Sequence, residues 1–113
     1  MHELSITRNV VAIVSERAAG QRVTRVRLEI GCLAAIQPEA IRFCFDICTQ
    51  GTPAEGATLE ITEIPGRGRC GDCGAEMVLK ALVGRCPDCL GGRLSLVAGE
   101  EMKIKEMEVE SCA

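Results

Sequence analysis

Eight cysteines and a single histidine hold most of the chemistry open to this 113-residue chain. Four of the cysteines form two C-x-x-C pairs, Cys70-Gly-Asp-Cys73 and Cys86-Pro-Asp-Cys89, separated by twelve residues. That spacing lets two tight turns face each other and bring four thiolates into a tetrahedral set. Four sulfur ligands leave no position open for water or substrate, so a zinc ion held by Cys70, Cys73, Cys86 and Cys89 would serve structure or signalling rather than catalysis. Iron in a rubredoxin-like site is the other metal that suits this donor set. Such electron carriers usually pack their metal loops on an aromatic core, and no aromatic residue lies between Cys70 and Cys89. Gly74 can supply the positive φ that a turn of this kind often needs; Leu90 holds the equivalent place in the second pair, which predicts a different second turn. Arg67, Arg69 and Arg85 flank the site and can offset part of its negative charge.

The histidine is His2. Removal of an initiator methionine generally requires a small second residue, so Met1 is expected to remain. The Met1 amine, the His2 amide nitrogen and the His2 imidazole can then close adjacent five- and six-membered chelate rings around one cation. Borderline nitrogen donors of this kind suit nickel(II) or copper(II), with a fourth donor from the Glu3 carboxylate or the Glu3 amide nitrogen. From these residues alone, a histidine on a solvated terminus with no ligand is the commoner situation.

The other cysteines carry less. Cys44 and Cys48 lie one helical turn apart and could clasp a metal, but they share a stripe with Ile41 and Phe45, where a free cysteine packs as a small hydrophobe. Cys112 sits in a terminal Glu-Ser-Cys-Ala tail expected to be mobile. Met77, Met102 and Met107 lie among apolar neighbours and read as core. Arg22, Arg25 and Arg27 cluster on the first strand, where a solvated face is the simple expectation and contact with an acidic partner the sharper one.

Several elements must position these groups. Ile6, Val10, Ile13 and Val14 recur at helical spacing between Ser5, a candidate N-cap, and Gly20, a candidate stop. Val26, Leu28 and Ile30 alternate with Arg25, Arg27 and Glu29 in the period of a half-buried strand closed by Gly31. Pro38 suits the first turn of a second helix running to about Gln50, with Gly51 beyond it. Leu59, Ile61 and Ile64 mark a second strand. Leu94 to Val97 and Met102 to Val109 read as later strands, with a phase change near Glu106 that a bulge would explain. The segment Pro65-Gly66-Arg67-Gly68-Arg69 breaks the pattern, and Gly91-Gly92 breaks it again. The expected fold class is α+β, a small mixed or antiparallel sheet with two helices on one face, plus an inserted zinc-ribbon-like module built on the four cysteines. The expected division is a discontinuous α/β domain over 1–66 and 93–113, with the zinc module over 67–92.

Composition narrows the function classes. A chain this short buries a thin core and gains from a staple. It has no apolar run of membrane-spanning length, and Met-His-Glu-Leu-Ser lacks the basic flank and apolar stretch of a secretory signal, so the cytoplasm is expected. In a reducing compartment paired cysteines read first as metal ligands. Thirteen basic against sixteen acidic side chains argue against a general phosphate-backbone binder, and Phe43 and Phe45 are the only aromatics available for base stacking. A zinc-ribbon interaction module in nucleic-acid processing, using Arg67, Arg69, Arg85 and Arg93, is the alternative. With its only histidine at the terminus, the chain has no Ser-His-Asp or Cys-His set, and catalysis by it alone is not expected.

Met1-His2-Glu3-Leu4-Ser5, the strand Val23-Thr-Arg-Val-Arg-Leu-Glu-Ile-Gly31, Pro38-Glu-Ala-Ile-Arg-Phe43 and the paired C-x-x-C motifs, taken in order, resemble the HypA/HybF hydrogenase nickel-incorporation family over nearly the whole chain. The resemblance implies a cytosolic metallochaperone that helps load nickel into nickel-iron hydrogenase, and in some organisms into urease. It implies nickel as cargo on His2 with the Met1 amine and Glu3 beside it, and structural zinc on Cys70, Cys73, Cys86 and Cys89. The implied partners are the GTPase HypB and the hydrogenase large-subunit precursor, with the chain a monomer or homodimer. Two features depart from the pattern. Gly31-Cys32-Leu33 stands where Gly-Glu-Leu is frequent, and no histidine flanks the zinc cysteines, so a histidine-based pH switch there is not expected.

Overall fold

The computed structural model describes residues 2–81 and 84–110. Its first sheet is built on the strand β1 (Val23–Gly31), which pairs in parallel with β2 (Thr58–Ile64) and antiparallel with β6 (Met102–Val109). The helix α2 (Pro38–Cys48) makes the crossover between the two parallel strands, as a parallel pair requires. The helix α1 (Glu3–Ala18) packs beside α2, and both lie on the face carrying Val26, Leu28 and Ile30. These residues are buried with Val10, Val14, Ile41 and Phe45, so the two helical stripes and the alternating face of β1 meet in one core. The expected α+β architecture is therefore present: a mixed sheet with two helices on one face.

Helix ends differ from expectation by one or two residues. The first helix begins at Glu3, with His2 at the cap position and Ser5 inside the helix. The Ile6 N–H closes the first turn on the His2 carbonyl at 3.1 Å, and Glu3 places its negative charge in that turn, where the helix dipole favours it. The left-handed residue at the other end is Ala19 (φ 52°), one before Gly20. The second helix ends at Cys48, short of Gln50: Thr49 still donates its N–H to the Phe45 carbonyl at 3.0 Å, and Gly51 follows in the left-handed region (φ 76°).

The opposite face of the first sheet is charged and internally paired. Arg25 meets Glu60 at 3.2 Å and Glu108 at 3.7 Å, and Arg27 bridges Glu60 and Glu106. The cationic cluster on the first strand is thus a solvated face with its acidic partners supplied by the same sheet. The phase change near Glu106 is a bulge: Arg27 opposes Glu106 and Leu28 opposes Ile104, leaving Lys105 as the extra residue. Met102 and Met107 pack against the core, as does Cys48. Cys112 lies outside the described residues.

The larger difference lies in the second sheet, ordered β4-β3-β5 from Gly66–Cys70 (β3), Glu76–Leu79 (β4) and Leu94–Ala98 (β5). The glycine-arginine segment that breaks the hydrophobic pattern is its central strand. Gly66 and Gly68 are buried positions without room for a side chain: a Cβ on Gly66 would stand 2.3 Å from the Leu79 carbonyl oxygen, and one on Gly68 2.6 Å from Leu79 Cδ1. Neighbouring leucines fill the space that the glycines leave, so this strand carries its alternation in its partners. Sequence boundaries at 67 and 92 put Leu94–Val97 with the first sheet; in the structure this strand pairs with β3, Gly68 opposite Leu96 and Cys70 opposite Leu94.

The two sheets meet through backbone. The Leu33 N–H donates to the Gly99 carbonyl at 2.7 Å just past β5, while Gly31 to Glu101 and Cys32 to Ile64 at 2.8 Å carry the first sheet up to the junction. A Cβ on Gly31 would lie 2.0 Å from the Gly99 carbonyl oxygen, which only a shift of main chain could relieve. Gly31→Ala is therefore expected to destabilise the protein by at least about 2 kcal/mol. Gly92→Ala, with nothing within 4 Å of its added Cβ, should leave stability nearly unchanged. Urea unfolding of the two variants checks this, and equal midpoints would show that the junction tolerates a side chain.

Candidate metal centre

Two turns bring the four sulfurs together. Cys70 ends β3, and Cys73 follows across Gly71-Asp72; Cys86 and Cys89 repeat the arrangement across Pro87-Asp88. In the first turn the Gly74 N–H donates to the Cys70 carbonyl at 2.9 Å and the Cys70 N–H to the Ala75 carbonyl at 2.8 Å. In the second, Leu90 donates to Cys86 at 2.9 Å and Cys86 to Gly91 at 2.9 Å. The turns thus share one hydrogen-bond pattern, contrary to the expectation of a different second turn. Leu90 achieves this by adopting the left-handed conformation itself (φ 63°), matching Gly74 (φ 78°).

The donor geometry fits a tetrahedral dication. All four sulfurs lie within 4.8 Å of one another, with Cys70 Sγ 3.5 Å from Cys89 Sγ and Cys73 Sγ 3.6 Å from Cys86 Sγ. A zinc ion with Zn–S bonds of about 2.3 Å requires edges of about 3.8 Å. Backbone N–H groups point at the sulfurs, Asp72 to Cys70 at 3.3 Å and Gly91 to Cys89 at 3.4 Å, and stabilise negative charge there. Backbone donors of Cys73 and Asp72 draw the Cys70 thiol down to about 7. Cys89 has the Gly91 N–H working in its favour, yet the adjacent Cys70 thiol, burial and the other two sulfurs push it up to about 12. The Ala75 N–H likewise favours the Cys73 thiolate, but the Cys86 thiol and burial outweigh it and leave Cys73 raised. Thiols this close resist ionising together unless a cation joins them, which makes the cluster consistent with a zinc site.

The arginines around the cluster are engaged within the unit. Arg69 binds Glu76 at 3.1 Å, Arg67 the same carboxylate at 3.5 Å, and Arg93 binds Asp72 at 3.5 Å. Arg85 donates to the Leu90 carbonyl at 3.0 Å and so braces the left-handed turn. These pairs offset part of the positive charge around the cluster.

The other residues singled out by sequence lie apart from this cluster. His2 is exposed at the start of α1, and Met1 lies outside the described residues. Glu3 Oε2 accepts the backbone N–H of Gln37 at 3.1 Å, tying the beginning of α1 to that of α2. That bond, first among its causes, holds the Glu3 carboxyl below the usual carboxylate range. No run of sequence around Gln37 signals this contact, since it depends on how the two helices pack. Cys44 and Cys48 are half-buried on α2, and Cys32 is exposed beside the junction of the sheets.

Fold and site together define a small α+β metal-binding protein with a four-cysteine centre carried on a second sheet. A family profile described as hydrogenase/urease nickel incorporation, metallochaperone, hypA matches residues 1–109. The chain is 63% identical over 110 residues to the hydrogenase maturation factor HypA of Nostoc punctiforme, covering 97% of this chain and 96% of that protein. It is 50% identical over 110 residues to the factor of the same name from Geobacter sulfurreducens, covering 97% of this chain and all of the relative. The chain belongs to the HypA family of nickel-incorporation metallochaperones. Among solved structures it is similar in fold to the nickel metallochaperone HypA from Helicobacter pylori, with TM-score 0.68 at 24% identity over 96% of this chain and 97% of that one. A second solution structure, described as HypA protein, gives TM-score 0.73 at 24% identity and covers 97% of both chains.

Leu90 bears a conformation that disfavours L side chains while its own side chain is 68% exposed. Leu90→Gly is expected to keep the metal site and to stabilise the metal-loaded unit by about 0.5–1 kcal/mol, the left-handed strain being partly offset by the entropy of glycine. Competition titration with a chromophoric zinc chelator checks this; a variant that binds zinc more than about tenfold worse would show that the Leu90 side chain itself supports the turn.

Proposed function

We propose that this chain captures Ni(II) at its N-terminus and hands it on for maturation of nickel-iron hydrogenase, with zinc held by Cys70, Cys73, Cys86 and Cys89 as a structural element. The carrying observation is the separation of two unlike donor sets: a closed four-sulfur cage, and an exposed histidine at position 2 ahead of a helix. A carrier must release its cargo. An exposed terminal chelate can lose its ligands one at a time to a better-placed acceptor, whereas a closed cage exchanges slowly.

In this reading the Met1 amine, the His2 amide nitrogen and the His2 imidazole hold nickel, and Glu3 contributes the fourth donor. The claim of Gln37 on the Glu3 carboxylate favours the Glu3 amide nitrogen, which lies in the first helical turn and has no intrahelical acceptor. The GTPase HypB and the hydrogenase large-subunit precursor are the proposed partners, the cytoplasm the proposed compartment, and urease a proposed second recipient of the metal. Among the described residues no helix is long and apolar enough to cross a membrane. The zinc unit is proposed to run from Gly66 to Ala98, following the second sheet, rather than over 67–92, and to depend on its ion for folding.

Three outcomes are expected. His2→Ala, or acetylation of the Met1 amine, abolishes nickel binding in absorbance titrations of the untagged, zinc-loaded protein while zinc content and circular dichroism stay unchanged; full nickel retention in both would refute the assignment. Glu3→Gln retains nickel within a few-fold, whereas Glu3→Pro, which keeps a residue suited to the first helical turn but removes the amide hydrogen, loses it. Zinc binding displaces protons from the thiols of the cluster, those of Cys73 and Cys89 among them, so apparent affinity should fall as pH falls, by at least about 100-fold per unit and more steeply below about 7 as Cys70 also protonates. Chelator competition across about pH 6–8 reads that slope.

A further inference from the structure

The strand β6 is an edge of the first sheet: β1 occupies one side, and among the described residues no strand pairs with the other. Its sequence around the bulge is Met102-Lys-Ile-Lys-Glu-Met-Glu-Val109. Folded back on itself about the Lys105–Glu106 bond, this run pairs Lys105 with Glu106, Ile104 with Met107, Lys103 with Glu108 and Met102 with Val109. Each cation meets an acid, and each apolar residue meets an apolar one.

In an unbroken strand this palindrome would be useless. Residues directly opposite in an antiparallel pair point to the same face, but positions 104 and 107 of a regular strand point to opposite faces. The bulge at Lys105 removes that obstacle by resetting the alternation, so that Ile104 and Met107 both face the helices and Lys103 and Glu108 both face away. The bulge at Lys105 therefore sits where self-pairing needs it.

The charges continue the same pattern. Within one copy Glu108 pairs with Arg25, Glu106 with Arg27, and Lys103 with Glu29 at 3.3 Å; Lys105 has no ion-pair partner among the described residues. Placing a second copy across the edge extends these into rows of alternating sign, Arg25, Glu108, Lys103 and Glu29 in one, and Glu60, Arg27, Glu106 and Lys105 in the next. On the helix face an apolar groove of about 540 Å³ separates α1 from β6 and leaves Ile13 43% exposed, so the edge has unfilled apolar surface beside it.

We propose that the outer edge of β6 is a self-complementary interface through which two copies of this chain pair antiparallel, Lys105 opposite Glu106 and Lys103 opposite Glu108, to form one six-stranded sheet. Lysines and a bulge on an edge commonly guard it against pairing. Here they repel pairings in which lysine meets lysine and leave a single register in which both sets of charges are answered, so they select a partner and do not merely exclude one.

The test is sedimentation equilibrium of the full zinc-loaded chain under reducing conditions, up to about 100 µM, a range in which a micromolar dimer is saturated. Dimer is expected, weakening in high salt. Lys103→Glu/Lys105→Glu and Glu106→Lys/Glu108→Lys should each dissociate about tenfold more readily or worse, because like charges then face each other across the axis. An equimolar mixture of the two should recover a heterodimer. A monomeric parent chain overturns the proposal, as does a dimer indifferent to both charge reversals or a mixture that stays monomeric. Should the second variant fail to fold, hydrogen exchange on the unaltered protein decides. Amides on the outer edge of β6 must gain protection with concentration, and concentration-independent exchange there overturns the interface.

Discussion

The second sheet has almost no interior except its sulfurs. Of the described residues from 66 to 98, only Gly66, Gly68, Cys70 and Cys86 are buried, and two of these have no side chain. Three strands of four or five residues cannot bury enough apolar surface to offset the entropy of ordering them. What remains is the convergence of four thiols, which carries a cost of its own unless a cation draws the charges together. The order of this half of the molecule, the left-handed turn at Leu90 and the pairing of Arg93 with Asp72 all rest on that one cluster.

The first sheet is held differently. Val26, Leu28 and Ile30 lie under two helices and would stay buried whatever happened at the cysteines. The connection between the halves is main chain against main chain at Gly31, Gly66 and Gly99, where added side chains would collide with backbone. Such a joint does not bend by rotating side chains.

Much of this was legible in the residues, and the exceptions have physical causes. The C-x-x-C spacing points directly to the four sulfurs that cluster, because such a cluster is built locally by its two turns. The stripes of α1 and α2 and the alternation of β1 are readable because each element carries its own apolar period. The strand at Gly66–Cys70 is hidden because its apolar contacts belong to Leu33, Leu79 and Leu96, and a glycine that makes room for a neighbour looks in sequence like a glycine that breaks a strand. The pairing of β5 with β3 is hidden for a related reason, since short strands with mixed exposure leave no face to match. The bond from Gln37 to Glu3 belongs to tertiary packing, and no periodicity reports it.

That bond bears on how a terminal site can be both ordered and exchangeable. A chelate made from a free amine and a neighbouring imidazole needs its backbone held in register, yet its donors must stay accessible to a recipient. On the proposed reading, anchoring the terminus by the carboxylate of residue 3 serves both demands, because Glu3 spends its charge on the N-terminus of α2 and is not drawn on as a metal donor. A carboxylate used instead as a metal ligand would have to abandon Gln37 at each loading, so that every capture of nickel would loosen the start of α1. On that reading, with nitrogen donors the helix start keeps its tie in the loaded and unloaded states alike, and the metal exchanges without refolding the end that carries it.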